Sequence, residues 1–537
     1  MSNELWEKYC RFLEKSLSEQ LQYSIKLRDK LLEKWLKTKT AKQIAAKFNV
    51  EIKKFEDVPL TDFSDYPILV DFREKINQTV SRRPRRKGEL WWDYYKKVME
   101  EVSPLLSEWL PEPFGYAAKT SGTFGESKWV AHGETGWKNL EISTFRMSAL
   151  SCSDSWGETR SERGDKALNI LAPVPYLVGY SLIIARNYFE LVPPIEVTDN
   201  ITDIRRKLMI TLKEIEKVGG VVGGPGIASF FYLAVSYFEN PEKFYYDYYK
   251  SLNFGIAKIF MLLKFIQAKL TGKKRSIREL MPLKGAIISG VDTPLYYPIF
   301  ERIFGIKPLN VYGSTELGIV MGGTPERKDL LMPSIDICFF EFLDKNGEIK
   351  QLDELKKGEV YECVGTPFNS LLLRYKTGDL FRLIEFRDDG FPLFSFEGRR
   401  STRLNIYGYF DLTEALATKI LSRAGLSFSD KWAVAKILSP KEHLHFLMEK
   451  EWEYSEEEAA KRIFKAFLEE SEDFRSYVKD FRVRNPTDII KVEYLKKGAF
   501  LRYFLKRVKE GVPPGQVKPP KVIPSERMDI FETLRRI

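Results

Sequence analysis

The chain has 537 residues, of which 44% are hydrophobic, 14% aromatic and 30% charged. That excludes a lone small binding module and a globally disordered chain, and at about 150 residues per unit it predicts three or four domain-sized units, or fewer large ones. Lys and Arg exceed Asp and Glu by 85 to 75, a net charge of +10 with a pI near 9.0. Both signs are interspersed, so the excess suits small phosphate-bearing molecules as well as nucleic acid. Cys10, Cys152, Cys338 and Cys363 are too scattered for paired zinc ligands and too few for a disulfide framework, which predicts a reducing, cytoplasmic setting.

The chain opens with Glu4, Glu7 and Lys8 and no apolar core segment, unlike a secretory signal. Leu5, Trp6, Tyr9, Phe12, Leu13 and Leu17 recur at helical spacing, followed by Leu31, Trp35 and Leu36, predicting a helical entry region. The basic run Arg82-Arg83-Pro84-Arg85-Arg86-Lys87 reads as a solvated loop, with nucleic-acid binding as its rival. The apolar stretch from Ile170 to Ala185 contains Pro173, Pro175 and Gly179 and is shorter than the roughly 20 residues a membrane span requires. It reads as core strand and turn, and no membrane partner is expected.

From about Phe114, short apolar runs alternate with glycine turns and longer helical stretches. Ala286–Gly290 and Leu309–Gly313 have the look of strands, with a helix over Leu295–Ile303 between them. After Gly398 come strands at Trp432–Ile437 and His443–Met448 and an acidic amphipathic helix from Ser455 to about Glu470. The expected architecture is α/β: a large multilayer N-terminal domain with mixed sheets over residues 1–399, and a smaller mobile C-terminal α/β or α+β domain over 400–537. Sites in such folds gather at loops beyond the carboxyl ends of strands.

The segment Lys119-Thr120-Ser121-Gly122-Thr123-Phe124-Gly125-Glu126-Ser127-Lys128 has the makings of a phosphate cradle. Its glycines let backbone amides approach phosphate oxygens, Ser121 and Thr123 add hydroxyl donors, and Lys128 adds a point charge. It lacks the Walker A spacing, so it is not a P-loop of that kind, and an ordinary turn is the competing reading. Three further segments follow in order: Val311-Tyr312-Gly313-Ser314-Thr315-Glu316-Leu317-Gly318, Tyr375-Lys376-Thr377-Gly378-Asp379-Leu380, and Phe396-Glu397-Gly398-Arg399-Arg400. In order and spacing these resemble the core motifs of the adenylate-forming (ANL) superfamily. Pro333–Phe342 with Gly358–Glu362, and Gly515–Lys521 late in the chain, narrow the resemblance to GH3-like acyl-acid adenylating enzymes.

The resemblance implies an ATP- and Mg²⁺-dependent ligase, in which a carboxylate attacks the α-phosphate of ATP, pyrophosphate leaves, and an acyl-AMP anhydride remains. Thr120, Ser121, Gly122, Thr123, Gly125 and Lys128 would hold the β- and γ-phosphates, and Thr315 the α-phosphate. Gly313 and Ser314 belong to the same turn, and Glu316 would hold Mg²⁺ through hard carboxylate oxygen. Tyr312, with Ser289, Gly290 and Val291, would flank adenine, ordinary core being the equal rival for Tyr312; Asp379 would accept the ribose hydroxyls, and Arg399 would pair with ribose or phosphate oxygen. Gly223, Gly224 and Pro225 would shape the acyl pocket. Positioning and electrostatics suffice for such chemistry, so no protein nucleophile is required.

Lys518 is the candidate catalytic lysine of the small domain, with Lys496 and Lys497 as alternatives. His132, just beyond the phosphate loop, reads as a loop or surface residue, with a substrate-facing role as its rival, and His443 with His445, two apart on a strand, lack partners for a metal site. The spellings of the Tyr312 and Tyr375 segments favour coenzyme A as the acyl acceptor, ahead of the amino acid used by GH3 proteins proper. A nucleotide or nucleic-acid binder without turnover is the rival of another class.

Overall fold

The computed structural model describes the chain apart from residues 1–3, 121–126, 170, 200–209, 211–219, 223–245, 247–255, 272–281, 290–292, 407–409, 427–430, 439–441, 481, 511, 513–516, 518–520 and 525–526. The entry region is helical but broken. A π-turn over Trp6–Cys10 and a 3₁₀ turn over Arg11–Glu14 precede helix α1, Leu17–Trp35. The break comes at Ser16, whose side chain accepts from the Glu19 amide while Glu19 reaches back to Ser16, so α1 starts afresh on a capping box. Helices α2 (Lys39–Phe48), α3 (Pro67–Arg82) and α4 (Trp91–Val102) follow. The basic run is the loop after α3: Arg82 pairs with Glu101 and the Arg85 guanidinium lies 4.1 Å from the Trp91 ring centre.

Strands β1 (Phe114–Lys119) and β2 (Trp129–Gly133) form an antiparallel hairpin whose tip is the Thr120–Lys128 segment. Helix α5, Glu134–Ser151, leaves β2 directly. A seven-stranded sheet follows, built from β3 (Lys166–Leu168), β4 (Glu190–Val192), β5 (Gly220–Val222), β6 (Leu283–Ile288), β7 (Leu309–Ser314), β8 (Gly318–Gly322) and β9 (Met332–Pro333), in the order 4-3-5-6-7-8-9. It is parallel from β4 to β7 and antiparallel beyond, so the expected mixed α/β sheet is present. The helix Thr293–Phe304 crosses between β6 and β7 as the alternation predicted. One expectation fails. Leu177–Ala185, read as strand and turn, is a helix with every residue buried. Being apolar all round, it carries no periodicity that separates helix from core strand.

The second sheet has the order 11-10-12-13-14 and is antiparallel throughout: β10 (Cys338–Leu343), β11 (Ile349–Lys350), β12 (Val360–Pro367), β13 (Tyr375–Phe386) and β14 (Pro392–Arg399). Phe340, Phe342, Phe381 and Phe394 join one core with the inner residues of α5 and β7. A buried bidentate pair, Arg146 to Asp336 at 2.7 and 2.8 Å, ties α5 to the segment before β10, and the Arg146 Nε donates to the Tyr9 carbonyl.

Beyond the 3₁₀ turn Arg400–Thr402 lie the small pair β15 (Leu404–Ile406) and β16 (Phe410–Leu412), then a four-stranded sheet. Its strands β17 (Trp432–Ile437), β18 (His443–Glu449), β19 (Ile490–Leu495) and β20 (Val522–Ile523) run in the order 19-18-17-20. Helix Glu456–Glu470, N-capped by Ser455, packs here, and the buried apolar residues form clusters of their own. Among the described residues no helix is long and apolar enough to cross a membrane, no group of three His, Cys, Asp or Glu side chains could hold a metal ion, and all four cysteines are free and buried.

Candidate active site

β7 ends at Ser314 and turns through Thr315, Glu316 and Leu317 into β8. The turn is tight: a side chain at Gly313 would stand 2.9 Å from the Gly318 carbonyl, and Gly318 has φ +91°, a left-handed conformation that glycine adopts without steric cost. The Ser314 hydroxyl accepts from the Leu317 amide at 3.1 Å, which closes the turn and leaves Thr315 and Glu316 half-buried at its apex.

Asp379 sits on β13, opposite Arg399 on β14. Its carboxylate is only 3% exposed, and both oxygens are engaged. The Tyr312 hydroxyl donates to Oδ2 at 2.6 Å and the Arg399 Nε to Oδ1 at 3.0 Å. The Asp379 amide donates to the Thr377 hydroxyl, which in turn donates to the Cys363 carbonyl. The Tyr312 ring packs between Phe381 and Phe396, with centroids 4.8 and 5.6 Å away, and the Asp379 charge adds to burial in pushing its phenol far above the ordinary tyrosine range. Tyr312, expected beside adenine, is thus a buried support of Asp379. Asp379, expected to face a ribose, is covered, and the member of the trio that reaches solvent is Arg399, with 48% of its side chain exposed. The charge of Asp379, and after it that of Glu316, holds the Arg399 guanidinium above its usual range. Glu316 also reaches Tyr375, whose phenol is raised first by burial and then by that carboxylate. Among the described residues the Glu316 carboxylate makes no hydrogen bond or ion pair.

The hairpin β1–β2 closes on the same place. Thr120 and Lys128 clasp the neck of its tip: the Thr120 amide donates to the Lys128 carbonyl at 2.9 Å and the Lys128 amide to the Thr120 hydroxyl at 2.8 Å. The Lys128 ammonium lies 4.6 Å from the Phe63 ring centre. Phe63 follows Thr61, which bridges to Tyr375 at the start of β13. Of the residues expected to hold nucleotide, Thr120, Lys128, Tyr312, Gly313, Ser314, Thr315, Glu316, Asp379 and Arg399 are thereby linked through shared partners. Ser121, Gly122, Thr123, Gly125, Gly290, Val291, Gly223, Gly224, Pro225 and Lys518 lie outside the described residues. Lys496 and Lys497 are exposed, in the turn whose Gly498 and Phe500 amides are held by the buried Glu449 carboxylate.

Three more groups line this region, one of which, His132, the sequence placed at a loop or surface, while Arg374 and Thr61 were not singled out. His132 is fully buried on β2 rather than at a surface, and Arg374, with φ +47°, sets the entry to β13. Thr61 receives the Lys376 amide on its carbonyl. For His132 the signal was its place inside the apolar run Trp129-Val130-Ala131. For Thr61, more than 300 residues from Tyr375, no local signal exists.

Residues 331–399 match the GH3 family central domain, the segment that carries β10 to β14. Over 97% of this chain and 95% of its own, a solved acyl acid amido synthetase, AtGH3.15 in complex with 2,4-DB, superposes with a TM-score of 0.64 at 18% identity. The fold is that of the GH3 acyl acid amido synthetases. A second GH3.15 structure agrees, with a TM-score of 0.64 at 17% identity over 98% of this chain and 96% of that one. No curated protein sequence matches. The GH3 resemblance read from Pro333–Phe342 and Gly358–Glu362, both within the matched segment, therefore stands for family segment and fold alike.

Proposed function

We propose that this GH3-fold protein is an ATP-dependent ligase that adenylates a small organic acid and passes the acyl group to the amine of an amino acid, forming an amide. The observation that carries the reading is the meeting of one strand-end turn with a charged pair on two neighbouring strands. The Thr315–Glu316 turn and the Tyr312–Asp379–Arg399 trio share one electrostatic neighbourhood, in a fold whose solved relative is an acyl acid amido synthetase. That relative reverses the order of acceptors expected from the sequence, which put coenzyme A first.

Arg399 offers a forked, permanently charged donor to phosphate or ribose oxygen. Asp379 fixes the near edge of that fork, and Tyr312 fixes Asp379. A ribose reaches Asp379 only if Arg399 swings aside, which its exposed side chain permits. Thr315 donates a hydroxyl at the apex of its turn. Lys128 and the Thr120 clasp hold the neck of the loop proposed to wrap the β- and γ-phosphates. The Glu316 carboxylate, without a hydrogen bond or ion pair among the described residues, fits a hard divalent cation, and Mg²⁺ bound there would neutralise phosphate charge as pyrophosphate departs. The remaining assignments, with Lys518 as the lysine of a lid formed by residues 400–537 turning at Arg399–Arg403, complete the proposal.

Purified protein incubated with ATP, Mg²⁺, a panel of carboxylic acids, and either amino acids or coenzyme A is expected to release pyrophosphate and AMP and to yield amides by mass detection. Thioesters without amides would restore coenzyme A as the acceptor. Release of ADP, or of nothing, would overturn the ligase reading.

A further inference from the structure

His132 lies outside the residues assigned to nucleotide, yet it touches the turn that carries Thr315 and Glu316, the strand β1 that leads to Thr120, and the segment that leads to β13. Its Nε2 is 3.0 Å from the carbonyl oxygen of Thr315. A carbonyl only accepts, so Nε2 carries the proton and Nδ1 is left as the acceptor. Nδ1 faces the Asn369 amide nitrogen at 3.5 Å, and His132 bridges to Ser370 just before β13. The imidazole stacks on Tyr116 of β1, with centroids 4.7 Å apart and planes 15° from parallel. The ring is wholly buried, and desolvation holds its pKa down to about 4, so the neutral tautomer persists at neutral pH.

We propose that His132 is a positioning residue for the adenylation step, its Nε2–H fixing the peptide plane between Thr315 and Glu316 against the β1–β2 hairpin. A peptide is planar and trans, so pinning the Thr315 carbonyl also fixes the Glu316 N–H, which points the opposite way. The side chains on either side of that plane are the two proposed to meet the α-phosphate and the divalent cation. One buried bond thereby sets β2 and the Thr315–Glu316 turn at a constant separation, which near-attack geometry requires.

This inference rests on the proposed adenylation, and two readouts keep the two apart. His132→Phe retains ring volume and the stack on Tyr116 but removes the donor. His132→Gln retains a donor. Hydrogen–deuterium exchange over residues 314–318, which needs no turnover, is expected to quicken in His132→Phe and return toward the parent rate in His132→Gln. In the pyrophosphate-release assay His132→Phe is expected to lower kcat about 10- to 100-fold, with a small change in KM for ATP and an unaltered pH profile, and His132→Gln to recover most of it. Parent-like exchange in folded His132→Phe overturns the inference. So does parent-like kcat, or the loss of an acidic limb in the pH profile, which would mark a titrating group. If the parent protein releases no pyrophosphate, the adenylation reading fails while the exchange result still decides the role of the bond.

Discussion

Two arginine–carboxylate pairs flank the Tyr375–Asp379 stretch and do opposite work. Arg374 meets Glu341 through Nε and Nη2, both at 2.9 Å, and its remaining Nη1 donates to the carbonyls of Glu56 and Val58. Both side chains are buried, 6% and 3% exposed, and the donors of the fork are consumed inside the protein. Arg399 gives Asp379 one bond, from Nε, and is half-exposed. The closed pair fixes where β13 begins, holding Arg374 in a left-handed conformation that its bonds must outweigh. The open pair leaves a guanidinium edge turned outward, with its charge already oriented. A spent fork holds a fold, and a half-used one can hold a ligand.

The comparison breaks first at the closed pair. Glu341→Ala strands the Arg374 charge in the interior, and we expect a loss of about 3–5 kcal/mol in urea denaturation. A midpoint close to that of the parent would show that the pair counts for no more than a surface one. At the open pair the expected effect lies in activity. Asp379→Asn keeps the shape but removes the charge that orients Arg399, and pyrophosphate release is expected to fall about 10²–10³-fold with the unfolding midpoint little changed. Equal release by the variant would remove Asp379 from the site.

A buried group without a counter-ion sharpens the contrast through pH. The folded-state pKa of His132 is depressed, to about 4, below the ordinary value of 6.5. Between those values the unfolded chain binds a proton that the folded one refuses, so stability falls as pH drops through that window and levels off below it. The expected contribution is about 3 kcal/mol, absent in His132→Phe, and denaturation series from pH 7 to pH 4 on both proteins would check it. The smallest effect is expected at Arg399→Ala: KM for ATP raised about tenfold, with a fall in unfolding midpoint well short of that in Glu341→Ala, because Tyr312 still donates to Asp379 and water can take the place of the half-exposed guanidinium. A large drop in midpoint would make Arg399 a second Arg374.

The sequence by itself determined the α/β class, the β6–helix–β7 alternation, the C-terminal strands at Trp432 and His443, and, in Pro333–Phe342 and Gly358–Glu362, the segments that mark the GH3 resemblance. Period and turn chemistry are local: the tight turn after Tyr312 needs glycine at Gly313 and Gly318, and such a requirement can be read from the sequence. Tertiary structure alone decided which groups those segments lean on. That the Tyr312 hydroxyl serves Asp379, that His132 is buried against Thr315, that Arg374 closes on Glu341 while Arg399 stays open, and that Leu177–Ala185 is a helix all depend on contacts between distant parts of the chain. Burial changes what a side chain does without changing how it is spelled: Arg374 and Arg399 are the same letter in the sequence, and only the dielectric and the partners around each one set them apart.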